Sequence, residues 1–164
     1  MNSPFHSKEG GNHGLRIGHG HRNLRRLAMV KTKITYEGDL RTTAHHGPSG
    51  AECQTDAPVD NNGKGESFSP TDLVGVALGS CILTVMGIVA ARIGVDLTGA
   101  TADVEKSMVA DPKRRIGALE VHVTIPCAVS EIDRKKLERA AKTCPVHKSL
   151  HPDIHAPIGF EWDA

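Results

Sequence analysis

The chain has 164 residues, 38% of them hydrophobic but only 3% aromatic, and a formal net charge of +1 at pH 7. That length suits one domain with a core of Val, Ile, Leu and Ala; such a core is thin for one monomer, and a second subunit would supply missing burial. The charge is uneven: Met1 to Ala28 carries five Lys/Arg against one acid, leaving about +4 there and about −3 elsewhere, so the body lacks the basic footprint of a nucleic-acid or anionic-membrane binder.

Residues 1–28 hold Gly10, Gly11, Gly14, Gly18 and Gly20 among His and Asn, with no apolar period. They read as a disordered basic extension or a cloning remnant, with the domain proper spanning 29–164. No secretory apolar stretch is present in them, so a cytoplasmic location is expected. The four cysteines, Cys53, Cys81, Cys127 and Cys144, are too few for a disulfide frame at this length and are expected to rest reduced.

Val30 to Tyr36 and Leu40 to His45 alternate loosely and flank Glu37-Gly38-Asp39, which predicts a hairpin. Ala51 to Thr55 is a third extended piece, and Asp56 to Ser67 a long polar loop centred on Asn61-Asn62-Gly63-Lys64-Gly65. Ser69-Pro70 with Asp72 then has the chemistry of a helix start: an N-cap, a proline where no donor is needed, and an acid in the first turn. The helix should run to about Arg92 and end at Gly94. Nineteen uncharged residues separate Asp72 from Arg92, and Gly75 and Gly79 form a small-xxx-small pair, which raises the membrane question. The glycines, Ser80, Thr84 and the absence of aromatic belts favour a helix buried on nearly every side of a soluble protein.

Val95 to Val109 and Ile116 to Pro126 read as strands around the turn Asp111 to Arg115, since Leu119, Val121, Val123 and Ile125 alternate with Glu120, His122 and Thr124. Ser130 and Asp133 resemble a capping box for a helix from Glu131 to about Thr143. Cys144-Pro145 begins another turn of helix through about Leu150, and Ile158 to Trp162 is a last strand.

Two cysteines stand where chemistry is plausible. Cys81 lies on the third turn of the long helix, where Gly79 and Ser80 leave space beside the sulfur; a buried helical cysteine otherwise behaves as a small hydrophobe. Cys144 sits at a helix start whose free N–H groups favour a thiolate, or it is only a substitute cap. Cys144, His147, His151 and His155 superficially resemble a metal ladder, but Pro152 interrupts the helix and no second clustered thiol is present, so no metal and no cofactor is expected. Cys53 and Cys127 read as structural. Arg41 is either a solvated strand charge or a cation awaiting an anion, and nothing local decides between them.

The string from Ser69 through Pro70, Thr71, Asp72 and Leu73 to Gly79-Ser80-Cys81 resembles the Asn-Pro-Glu-x-Leu…Ala-Cys signature of the OsmC/Ohr (organic hydroperoxide resistance) family. Cys144-Pro145-Val146-His147 resembles its second cysteine motif. The resemblance covers about 29–164 and implies an α+β fold, with antiparallel sheets enclosing a long central helix in an intertwined homodimer, and active sites at the subunit interface. It implies that Cys81 attacks a hydroperoxide and becomes a sulfenic acid, that Cys144 resolves it as a disulfide, and that a dithiol reductant restores both. It assigns Arg41 to stabilising the attacking thiolate, since a guanidinium favours the charged form of a nearby thiol.

One position departs from the family pattern. The glutamate that orients the arginine falls at Thr71 here. Asp72 is one residue on, about 100° around the helix, and Glu66 lies in the preceding loop; either is a candidate for the missing carboxylate. An apolar pocket near Leu78, Ile82 and Met86 is expected to favour organic hydroperoxides. The competing expectation is an OsmC-like protein that binds a small ligand or senses oxidants with little turnover.

Overall fold

The structure, a computed structural model, describes residues 29–163; the expected basic extension 1–28 lies outside the described residues. The chain opens with three antiparallel strands, β1 (Thr32–Gly38), β2 (Arg41–His46) and β3 (Glu52–Asp56). The first turn sits one residue later than expected, because Asp39 and Leu40 both adopt positive φ, at 50° and 63°, the pair of left-handed residues that matches strand twist in a tight hairpin. Strand alternation and register place Ile34, Tyr36, Ala44 and Cys53 on one face, and Arg41, Thr43, Gln54 and Asp56 on the other. Ile34 and Tyr36 remain 61% and 65% exposed, so the apolar face of this sheet lacks cover within the chain.

Helix α1 spans Asp72–Ile93. Its start follows the expected chemistry in a slightly different form. Ser69 Oγ accepts the Asp72 N–H at 3.2 Å and the Asp72 carboxylate accepts the Ser69 N–H at 2.7 Å, a reciprocal box across a first turn that includes Pro70. Gly94 closes the helix at φ 73°, a left-handed position suited to glycine. Within the single chain the helix is not buried on nearly every side: Gly75, Leu78, Gly79, Ile82, Met86 and Ala90 are buried, whereas Val76, Ser80, Thr84 and Ile88 form an exposed stripe. The four-residue spacing of that stripe puts it on one helical face. The helix is long and apolar enough to cross a membrane, but one face of it belongs to the core.

The second sheet is built from β4 (Thr101–Val109), β5 (Arg115–Ile125) and β6 (Ile158–Trp162). The expected strand from Val95 starts six residues late, because Asp96 accepts both the N–H and the hydroxyl of Thr98 and turns the chain. The expected antiparallel order holds for β4 and β5, while β6 runs parallel to β5, so this sheet is mixed. Its inner face, with Leu119, Val121, Val123 and Ile125, packs with α1 and α2 (Glu131–Ala141) around the fully buried Leu78, Ile82, Met86 and Leu137. Ser130 caps α2 through the Asp133 N–H at 3.2 Å. A short helix α3 (Pro145–Ser149) then lies against α1.

Candidate functional site

The two cysteines come together where α3 abuts α1. Pro145 occupies the first turn of α3, where its missing donor costs nothing, and Cys144 takes the capping position with its Sγ accepting the His147 N–H at 3.5 Å. The ring of His147 is held in turn by the Ala156 carbonyl, 3.0 Å from Nε2. Cys144 is fully buried and Cys81 half-buried, and both are free thiols. Cys81 packs against the buried cluster that includes Cys144.

Sequence reasoning offered Cys144 either a helix-start thiolate or a cap substitute. In the structure burial pushes its thiol above the ordinary value, and the contact with Cys81 pushes it further; the N–H groups of His147 and Val146 only partly oppose this. A five-residue helix supplies too little dipole to outweigh desolvation. Burial, and not the helix start, therefore decides the direction in which the Cys144 thiol is shifted.

A second cluster forms around Arg41. The β2–β3 register sets Arg41 opposite Asp56, and Arg41 Nη2 reaches Asp56 Oδ2 at 3.5 Å. The same Nη2 pairs with the Glu66 carboxylate. Glu66 arrives there because the polar loop folds back on itself. Asp56 N–H donates to the Phe68 carbonyl at 3.0 Å, and Glu66 N–H donates to Asp56 Oδ2 at 3.0 Å, closing the neck of the loop. At Gly63 the loop approaches its own start so closely that a Cβ would lie 1.7 Å from the Ala57 carbonyl oxygen. A cavity of about 340 Å³ opens beside Arg41, lined by polar groups including Thr43, Gln54, Asp56 and Glu66.

Of the two carboxylates proposed from sequence for Arg41, the structure brings Glu66 to it and takes Asp72 elsewhere. Asp72 belongs to a network in which the Lys106 ammonium donates to its carboxylate, to Thr71 Oγ1 at 2.8 Å and to Ser69 Oγ at 3.4 Å. Burial raises the Asp72 carboxyl, but hydrogen bonds from Lys106 and Ser69 outweigh it and hold the group below the usual carboxylate range. Thr71, at the family's glutamate position, is thus committed to Lys106.

Asp56 was missed. It looked like the first residue of a polar loop, and the only signal that could have placed it was hairpin register, since pairing inward from His45 and Glu52 brings Arg41 opposite Asp56. The expected pocket near Leu78, Ile82 and Met86 is also corrected: all three are sealed in the core. The cavity flanking the helix, about 430 Å³, is instead lined by the apolar Phe68, Val76, Leu83 and Val104 together with Ser80, Asp72 and Lys106. Among the described residues no group of three or more His, Cys, Asp or Glu is placed to hold a metal. Cys53 lies on the apolar face of the first sheet, and Cys127 Sγ donates to the Asp96 carbonyl at 3.3 Å.

Two free cysteines, one half-buried on the long helix and the other buried at the start of a short helix packed against it, mark the candidate site of this two-sheet α+β protein. The comparisons identify which fold this is. The family model described as OsmC-like protein matches residues 63–157. A crystal structure from Psychrobacter arcticus 273-4, of a protein named for a proposed role in osmotic stress induction and detoxification response, is 46% identical. That likeness covers 84% of this chain and all of the other, with a TM-score of 0.77. An organic hydroperoxide resistance protein OsmC from Legionella pneumophila is 15% identical over 82% of this chain and 98% of its own, with a TM-score of 0.67. One from Elizabethkingia anophelis, with thiocyanate bound, is 16% identical over 85% of this chain and all of its own, at 0.66. No curated protein matches the chain. The chain belongs to the OsmC-like family.

Proposed function

We propose that the protein is a cytoplasmic, homodimeric thiol-dependent peroxidase that reduces organic hydroperoxides. The observation that carries this reading is the packing of Cys81, on α1, against the buried cluster that includes Cys144 at the start of α3, which sets a resolving thiol close to the attacking one before any oxidation. The names of the Legionella and Elizabethkingia relatives support the substrate class.

The half-buried Cys81 sulfur, as thiolate, attacks the outer peroxide oxygen. The S–O bond forms, the O–O bond breaks, and the alkoxide leaves as an alcohol with the proton that Cys81 gave up. Cys144 then attacks the Cys81 sulfenic acid; the S–S bond forms, the S–O bond breaks, and the hydroxide leaves as water with the Cys144 proton. An external dithiol returns two electrons and two protons by disulfide exchange. Within one chain the Arg41 cluster and the cysteine pair share no hydrogen bond, and neither cysteine lines the Arg41 cavity. The exposed stripe on α1 and the uncovered Ile34/Tyr36 face are the surfaces a second copy would bury, and dimerisation is read as the step that completes the site.

The test is consumption of tert-butyl hydroperoxide with a dithiol reductant by wild type, Cys81→Ser and Cys144→Ser, with intact mass after one peroxide equivalent. Turnover lost in Cys81→Ser, with loss of two hydrogens on oxidation of wild type, supports the cycle. A folded, reduced protein without turnover supports the second reading, an oxidant-sensing or ligand-binding member. That reading is favoured by the commitment of Thr71 to Lys106.

A further inference from the structure

Arg41 needs a fixed anion if it is to point anywhere reliably, because a long guanidinium side chain on a strand end otherwise samples many rotamers. The residue at the family's glutamate position, Thr71, accepts a hydrogen bond from Lys106. Glu66 pairs with Arg41, but its side chain is 62% exposed and sits on a loop, where an ion pair adds little rigidity. Asp56 differs on every count. Its side chain is 1% exposed, it lies on a strand, and hairpin register sets it opposite Arg41.

Burial of a charged carboxylate is tolerated only when its oxygens are paired. Asp56 Oδ2 takes both the Arg41 Nη2 and the Glu66 N–H, while Oδ1 is buried with no partner. The guanidinium carries the matching orphan, since Arg41 Nε is likewise buried with no partner. One member of the ion pair thus has a spare donor and the other a spare acceptor, the complement required for a forked arginine–carboxylate contact. Through the Glu66 N–H, the same aspartate also holds the loop that brings the second carboxylate.

We propose that Asp56 is the positioning residue of Arg41, doing in this chain what the glutamate does in relatives that have one in place of Thr71. This rests on the reading of Arg41 as the group that activates Cys81. Asp56 touches neither sulfur and acts only through the guanidinium it orients.

The experiment is a double-mutant cycle on the intact protein, read as the pH profile of Cys81 alkylation by iodoacetamide, followed by peptide mass. Asp56→Asn keeps an oxygen for the Glu66 N–H and removes the charge; Asp56→Ser keeps a smaller acceptor and serves as a second variant should the first fold poorly. Asp56→Asn is expected to slow Cys81 alkylation at neutral pH on the order of tenfold or more, as misplacement of a positioned group does, and to move the profile to higher pH. Arg41→Met should do the same, and adding Asp56→Asn to Arg41→Met should change nothing further. An unchanged profile in either Asp56 variant overturns the proposal. So does an equal loss from Asp56→Asn with and without Arg41, which would mark Asp56 as a loop clasp only. Alkylation needs no peroxide, so a wild type that fails to consume peroxide would remove the proposed peroxidase and leave this coupling to be read by itself.

Discussion

Cys144 and Arg41 are held by opposite means. The cysteine pair lies between two helices, against a continuous apolar core of Leu78, Ile82, Leu137 and Ala141, and its geometry follows from close packing. Arg41 stands at a hairpin end beside a polar loop, 38% exposed and held by two carboxylates. The difference assigns each region its kind of change. The cysteines are placed where little moves, while Arg41 sits beside loop residues such as Glu66 that lie outside the core.

The sharpest way to break that comparison is chemical. Cys81→Ser is expected to reduce peroxide consumption to background, whereas Cys144→Ser should still oxidise once and then stall as a sulfenic acid, trapped with dimedone and read by mass. If both variants behave alike, the two sulfurs do not divide the roles proposed for them.

Packing separates the regions next. Leu78→Ala removes a fully buried side chain and should destabilise by about 2–5 kcal/mol in urea unfolding. Gly63→Ala sets a methyl against the Ala57 carbonyl at the loop neck. A cost of about 1–3 kcal/mol is expected there, with faster proteolysis confined to residues 57–66.

Titration sharpens the contrast further. The Cys144 thiol is raised above its ordinary value of 9.0, so its contribution to stability is complete below about pH 9 and is lost as pH rises through the still higher folded value. Asp72, lowered from 3.8, has the opposite sign: its contribution is present above about pH 4 and lost as pH falls through the folded value. Cys144→Ser should therefore flatten the alkaline limb of the unfolding midpoint, and Lys106→Met the acid limb. A smaller effect is expected from Glu66→Gln, whose exposed pair should change stability by less than about 1 kcal/mol.

Much of the secondary structure was legible in the residues because local chemistry specifies it. Ser69, Pro70 and Gly94 bracket α1, Ser130 with Asp133 starts α2, and the alternation from Leu119 to Ile125 marks a strand with one buried face. The motif around Cys81 and that around Cys144 were readable for the same reason, since each is a continuous string. Tertiary structure decided what depends on distant partners. The parallel pairing of β6 with β5 leaves no trace in either strand, and the exposed stripe on α1 cannot be told from a buried one by composition. Lys106 claims Asp72 and Thr71 from 34 and 35 residues away. Burial decides the direction in which the Cys144 thiol is shifted, which its cap position alone left open. Asp56 became a partner of Arg41 only through hairpin register and burial, because a carboxylate's role depends on which cation and how much water surround it, and neither is written in its neighbours along the chain.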